Sequence, residues 1–371
     1  MKAILRLDHG AVWRSRKNRF LLVLWTVIGI GFVFAAQTLQ LGDLKATLSR
    51  SHALIQINAG QIESMVVPTK GPKRATAIAI NRQAALFGQT YARFMFDDEA
   101  GTQDGLIALA KAQVKGAQGG YPGLKASSLP SEAAATRTLL VTQWLRQHGQ
   151  PLIRQVSDAG SSLTQAWPLW LALLPIMALA IACDGWLMMS EHRTVTATLP
   201  VGLGAQAVSK VLTRLGLTLL AMGLSGAATL IVGALSGGWG HLSYPTAVAL
   251  GDQLQILPLG AVLGLGLLDA VLVTLFIASA MLVVNVLTRN VYLSAMTGAA
   301  ALALPWLTPG LTRALWWLPL AGLAPSRVFD GTLQAQAGNW ALGIEGSALL
   351  LVLWTLIMLG WFRWLAARQV G

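Results

Sequence analysis

Apolar positions along this chain gather into six long runs, at roughly 20–39, 168–189, 209–235, 256–287, 291–308 and 344–365, and most polar positions fall between them. About 20 consecutive apolar residues cross the hydrocarbon core of a bilayer, so each run predicts a transmembrane helix, the fifth being the shortest. One polar block, 41–167, is about the size of a small domain. Its periodicity is mostly helical, over 43–65, 75–96 and 131–147, with a loop rich in Gly, Pro and Ser at 116–130 and a segment, 152–166, that runs on toward the second span. Ahead of the first span, residues 1–19 place Ile4, Leu7, Ala11 and Val12 near helical spacing, with Lys2, Arg6, Arg16 and Lys17 toward the polar side. That pattern predicts a helix lying in the membrane interface.

Composition agrees with this class, because 54% hydrophobic residues, 11% charged residues and a mean hydropathy of +0.59 do not describe a water-soluble domain. Lys and Arg in short loops mark the cytoplasmic side. Arg14, Arg16, Lys17 and Arg19, then Arg193, Lys210 and Arg214, then Arg289, then Arg363 and Arg368, all fall on one side of a six-span arrangement. Both termini are therefore expected in the cytoplasm, with 41–167 outside. The net charge of +12 follows from this bias plus a basic outer segment, and its dispersal argues against nucleic-acid binding. The first run is too long for the apolar core of a signal peptide and reads as a retained anchor. The single cysteine, Cys183, lies inside the second run and reads as packing.

Candidate chemistry is sparse. There is no phosphate-binding loop, no His-Glu-x-x-His and no Gly-x-Ser-x-Gly, so ATP hydrolysis by this chain is not expected. Asp97-Asp98-Glu99 is the one acidic cluster of the outer block and reads as solvated loop charge rather than a cation site. His52 and His148 read as surface residues. Asp269, near the middle of the fourth span, must face protein or a watery cavity, either as a pathway-lining group or as a structural contact. Asp184 and Arg214 lie at similar depths in the second and third spans. They predict an ion pair orienting the loop between those spans, the alternative being that Arg214 snorkels alone.

That loop is the most informative stretch. Glu191, Thr196, Leu199-Pro200-Val201 and Lys210 follow one another across 190–210. Together with six spans, an interfacial helix and an outer domain, they resemble the permease subunit of a type-2 ATP-binding-cassette exporter. Val195 stands where that family has Gly, and the stretch from Thr196 to Pro200 is about a turn shorter.

The resemblance implies an all-α polytopic membrane protein in the bacterial cytoplasmic (inner) membrane. Its ATPase-coupling segment would be 190–208, with Glu191, His192, Arg193, Thr196, Thr198 and Pro200 at the contact. It further implies a re-entrant outer segment at 309–343 and a pathway lined by the second and fifth spans. Trp306, Trp316, Trp317 and Trp340 would then lie in an outer aromatic belt. The implied partners are two copies of a cytoplasmic ATPase carrying ATP and Mg, a second permease, identical or homologous, and membrane lipid. No cofactor is expected on this chain. A lipid, glycan, hydrophobic drug or peptide would each suit as cargo. A non-transporting sensor or assembly scaffold, acting through the outer domain, is the alternative from a different class.

Overall fold

A computed structural model describes residues 2–63, 71–122, 124, 129–186, 202–251, 253–337 and 339–368. Among these, five helices are long and apolar enough to cross a membrane: α2 (Arg16–Thr38), α7 (Ala159–Ala182), α8 (Leu203–Gly237), α9 (Leu259–Thr288) and α14 (Ile344–Arg368). α10 (Val291–Leu307) has 17 residues, about 26 Å at 1.5 Å per residue, somewhat short of the ~30 Å hydrocarbon core. α8 is the opposite case. Its 35 residues give about 52 Å, so it extends well past the core thickness. The chain is a helical membrane protein whose long helices overlap the apolar runs.

Burial separates the central helices from the peripheral ones. The most apolar window is 67% buried in α9 and 61% in α7, but 28% in α2 and 22% in α14. Leu174, Met177 and Ile181 of α7 pack with Val211 and Leu217 of α8, Val273, Ile277 and Met281 of α9, and Leu351 and Phe362 of α14. α2 lies against α8 at close range, where the Thr229 hydroxyl donates to the Gly29 carbonyl at 3.0 Å. A Cβ placed at Gly29 would come within 2.5 Å of the Ser225 carbonyl oxygen, so only glycine permits this approach.

Several boundaries differ from expectation: the second span ends at Ala182 rather than 189, and the third begins at Leu203 rather than 209. The second span begins earlier, at Ala159, because Asp158 and Ser161 close a capping box there, and the helix then runs through Pro168 and Pro175. The fourth begins later. Ile256 belongs to β2 (Gln253–Pro258), which pairs antiparallel with β1 (Pro245–Leu250), Ala247 opposite Ile256. Gly251, at φ +59°, takes the left-handed conformation at the turn. An apolar strand continuing into an apolar helix gives one unbroken run, which is why the strand was read as span.

Among the described residues the polar block holds four helices, α3 (Leu44–Glu63), α4 (Pro72–Met95), α5 (Glu99–Gln118) and α6 (Glu132–Gln147). α5 was not assigned from periodicity. Leu48, Ile55, Phe87, Leu106 and Leu109 form one small core, and Ile62, Ala77, Ile80 and Tyr121 another. α6 lies against the β1–β2 hairpin, and Arg137 donates to the Asp330 carbonyl at 2.8 Å. This ties the domain to the bundle. The acidic run turns out to be structural rather than idle: Asp98 caps α5 by accepting from Gly101 N–H at 2.9 Å, Asp97 pairs with Arg154, and Glu99 Oε1 accepts from Leu152 N–H at 2.8 Å.

Between α10 and α14 the chain folds into short pieces: α11 (Pro309–Ala314), α12 (Pro325–Phe329), α13 (Thr332–Ala337) and two 3-10 turns. Ala321, Leu323, Val328 and Phe329 are buried, and Phe329 meets Trp167 of α7 edge to face, with centroids 5.0 Å apart.

Candidate functional site

The N-terminal helix α1 (Lys2–Arg14) packs against the start of α8. Asp8 is the anchor: its Oδ2 accepts from the Ser209 hydroxyl at 2.6 Å, and its Oδ1 lies 3.2 Å from Lys210 Nζ. The pair is nearly dry, with side-chain exposures of 6% for Lys210 and 15% for Asp8. At the end of α7, Asp184 Oδ2 lies 2.6 Å from Lys17 Nζ of α2, and the same ammonium donates to the Ala180 carbonyl at 2.9 Å. Lys17 thus serves both the carboxylate and the negative, carbonyl-rich end of α7.

Arg214 completes the cluster, but not as expected. Instead of pairing with Asp184, it donates to the Gly185 carbonyl at 3.4 Å and, more weakly, to the Lys210 carbonyl at 3.5 Å. Asp184 has been taken by Lys17, whose long stem reaches it from α2. Nor does Arg214 snorkel: it is 6% exposed, and its Nε has no partner among the described residues. Gly185 permits this seat, since a Cβ there would lie 3.1 Å from Arg214 Nε. Both Asp8 and Asp184 are within electrostatic reach of Arg214. Three cations and two carboxylates therefore share one end of the bundle, with one net positive charge. They sit on either side of residues 187–201, which join α7 to α8.

Glu191, His192, Arg193, Thr196, Thr198 and Pro200, the residues of the expected coupling contact, lie outside the described residues. Asp269 is buried in α9 at 7% exposure, with one carboxylate oxygen lacking a partner among the described residues. Trp306, Trp316, Trp317 and Trp340 are between 44% and 59% exposed. Arg327 lies over the Trp306 ring at 5.7 Å, and Trp354 donates to the Trp317 carbonyl at 2.9 Å. Sequence reading missed Asp8, Lys17 and Ser209 as members of a cluster. Asp8 was visible only as one acid in a basic N-terminus.

Comparison of the chain with protein-family models, with curated proteins and with solved structures finds no match. The chemistry of the arrangement must therefore speak for itself. Among the described residues no group of three or more His, Cys, Asp and Glu side chains is placed to hold a metal.

Concave features also lie near the bundle. Between α7 and α10 lies a groove of about 520 Å³, lined by apolar residues that include Pro175, Ile176, Ala299, Ala303 and Trp306. α10 turns Tyr292, Leu293, Met296 and Leu307 outward. A second cavity, of about 500 Å³, separates the polar domain from the bundle and is lined by Trp144, Arg154, Asp158, His241 and Tyr244 among others. Burial pushes the Tyr244 phenol up to about 12, although a hydrogen bond with the Ile153 backbone opposes the shift.

Proposed function

We propose that this chain is the permease subunit of an ATP-binding-cassette exporter, six times across the bacterial cytoplasmic membrane with α10 as the fifth span. Both termini are then cytoplasmic, the four-helix domain is outside, and segment 309–343 re-enters the outer leaflet. Two cytoplasmic ATPase subunits, carrying ATP and Mg, act on 190–208, and a second permease, identical or homologous, completes the pathway. The observation that carries the reading is the clamping of both flanks of 187–201 by ion pairs, part-exposed at Asp184 and nearly dry at Lys210. Asp184 on one side is held by Lys17 and Lys210 on the other by Asp8, so a push on that segment is passed to α1, α2, α7 and α8 together. A rigid lever of this kind suits a two-state bundle biased by nucleotide.

The apolar groove between α7 and α10 supports the pathway assignment to the second and fifth spans, and the outward apolar face of α10 offers a surface for a second permease. The test is affinity purification of the chain from its native membrane in mild detergent, with and without Glu191→Ala. An ATPase recovered with the native chain and lost or uncoupled in the variant supports the exporter. A stable complex lacking any ATPase in both preparations refutes it and favours the sensor or scaffold reading.

A further inference from the structure

The polar domain carries a trough that none of the preceding arguments uses. It runs between α4 and α5 with a volume of about 730 Å³, within the usual range for small-molecule sites. Its walls are small and apolar, from Ala75, Ala79 and Leu86 on α4 and Ala108 and Ala112 on α5. Ile78 stands beside it at 57% exposure. Tyr121 closes the floor, where its hydroxyl accepts from Gln83 Nε2 at 2.7 Å and donates to the Gln113 carbonyl at 3.2 Å. The floor is therefore polar-satisfied and fixed, and the walls offer a ligand methylene contact rather than hydrogen bonds.

Three cations line this trough, Arg82 from α4 and Lys111 and Lys115 from α5. None of them is in an ion pair among the described residues. Lys111 and Lys115 are one helical turn apart, where like charges repel. α4 adds Lys73 and Arg74 in its first turn, with no acidic residue there, against the preference of a helix N-terminus for negative charge. α5 keeps its acids, Glu99 and Asp104, toward its other end. Positive charge is thus concentrated around an apolar slot, at a cost to the first turn of α4 and to the Lys111–Lys115 pair of α5, an arrangement that an anion with an apolar tail relieves.

We propose that this trough binds one acyl chain of an anionic phospholipid, the chain lying along the Ala-lined wall and the headgroup between Arg82, Lys111 and Lys115. A protein helix fits less well. Even ten residues of helix, about 10 Å wide and 15 Å long, occupy roughly 1,200 Å³, and the slot has no large aromatic pocket of the kind that anchors protein partners. The lipid is at hand, because the domain is joined directly to membrane-spanning helices α2 and α7. The proposal goes beyond the exporter reading, and its test does not involve the ATPase.

The test uses the full chain in phosphatidylcholine nanodiscs doped with phosphatidylglycerol carrying a diazirine in one acyl chain, followed by illumination and peptide mapping. Adducts are expected within 72–95 and 99–118, in addition to those on the apolar helices. The yield there should fall at least about ten-fold in Arg82→Gln/Lys111→Gln/Lys115→Gln, each cation near a lipid phosphate being worth roughly a factor of five. It should fall similarly when the probe is diazirine-bearing phosphatidylcholine. Ala79→Trp, which fills the slot and keeps every cation, should also abolish the adducts. Labelling confined to the apolar helices, equal labelling by both lipids, or labelling that survives either variant overturns the proposal.

Discussion

Neutralising Asp8 should harm this protein more than neutralising Lys210, although the two face each other in one ion pair. The pair is 3.2 Å long, and unit charges at that distance attract by about 5 kcal/mol at an effective dielectric of about 20. Desolvation of both groups offsets much of this. What remains is asymmetric because Arg214 lies within electrostatic reach of Lys210. Asp8→Asn leaves Lys210 and Arg214 repelling each other in a site where Lys210 is 6% exposed, and should cost about 3 kcal/mol. Lys210→Met leaves Asp8 with the Ser209 hydroxyl at 2.6 Å and a share of solvent, and should cost about 1.5 kcal/mol. The double variant should cost about 2 kcal/mol, giving a coupling near 2.5 kcal/mol. Reversible unfolding in mixed micelles, followed by tryptophan fluorescence, measures all three. Single effects that add to within about 0.5 kcal/mol, or a larger loss from Lys210→Met, would refute the argument that Asp8 is the scarce charge of the cluster.

Three further outcomes are expected. Gly29→Leu drives a side chain into the Ser225 backbone and should destabilise the α2–α8 contact by about 2 kcal/mol or more, read by the same unfolding assay; a neutral Gly29→Leu would mean that α2 is free to shift. The Arg146 guanidinium beside Asp104 holds that carboxyl below its ordinary 3.8, so the pair contributes stability above that value and loses it as pH falls through the lowered one. The melting-temperature gap between native protein and Asp104→Asn should therefore be present at neutral pH and close in acid, and a gap that widens in acid would contradict the assignment. Tyr244→Phe should remove a phenol that ionises only near pH 12, so the native-minus-variant phenolate absorbance should be absent at about pH 10, the ordinary tyrosine value.

Some of this was legible in the sequence and some was not. The apolar runs at 20–39, 291–308 and 344–365 anticipated α2, α10 and α14 within a few residues, since a membrane span is announced by its own composition. The run at 256–287 misled at its start, because the apolar strand β2 leads into α9 without a polar break. α5 escaped notice because its apolar stripe is interrupted by Gly105, Gln103 and Lys111, and its clearest signal was its cap, Asp98, which was read as part of a loop. Asp184 and Arg214 were expected to form an ion pair, but Asp184 is taken by Lys17 of α2 and Arg214 turns to the Gly185 carbonyl.

The sequence by itself determined that this chain is a membrane protein, where its main helices run, and that it lacks the phosphate-loop, His-Glu-x-x-His and Gly-x-Ser-x-Gly patterns. Each of these depends on the transfer free energy of a local stretch or on residues close together in the chain. Only the tertiary structure decided which charges meet. Asp8 and Ser209 are 201 positions apart, and Lys17 lies 166 positions from Cys183, next to Asp184. Only the fold, likewise, placed α9 at the centre and α14 at the edge, and brought Arg82 together with Lys111 and Lys115 around one apolar trough. Lateral packing of helices carries no signature in any one of them, because similar apolar surfaces can be covered by lipid or by a neighbouring helix.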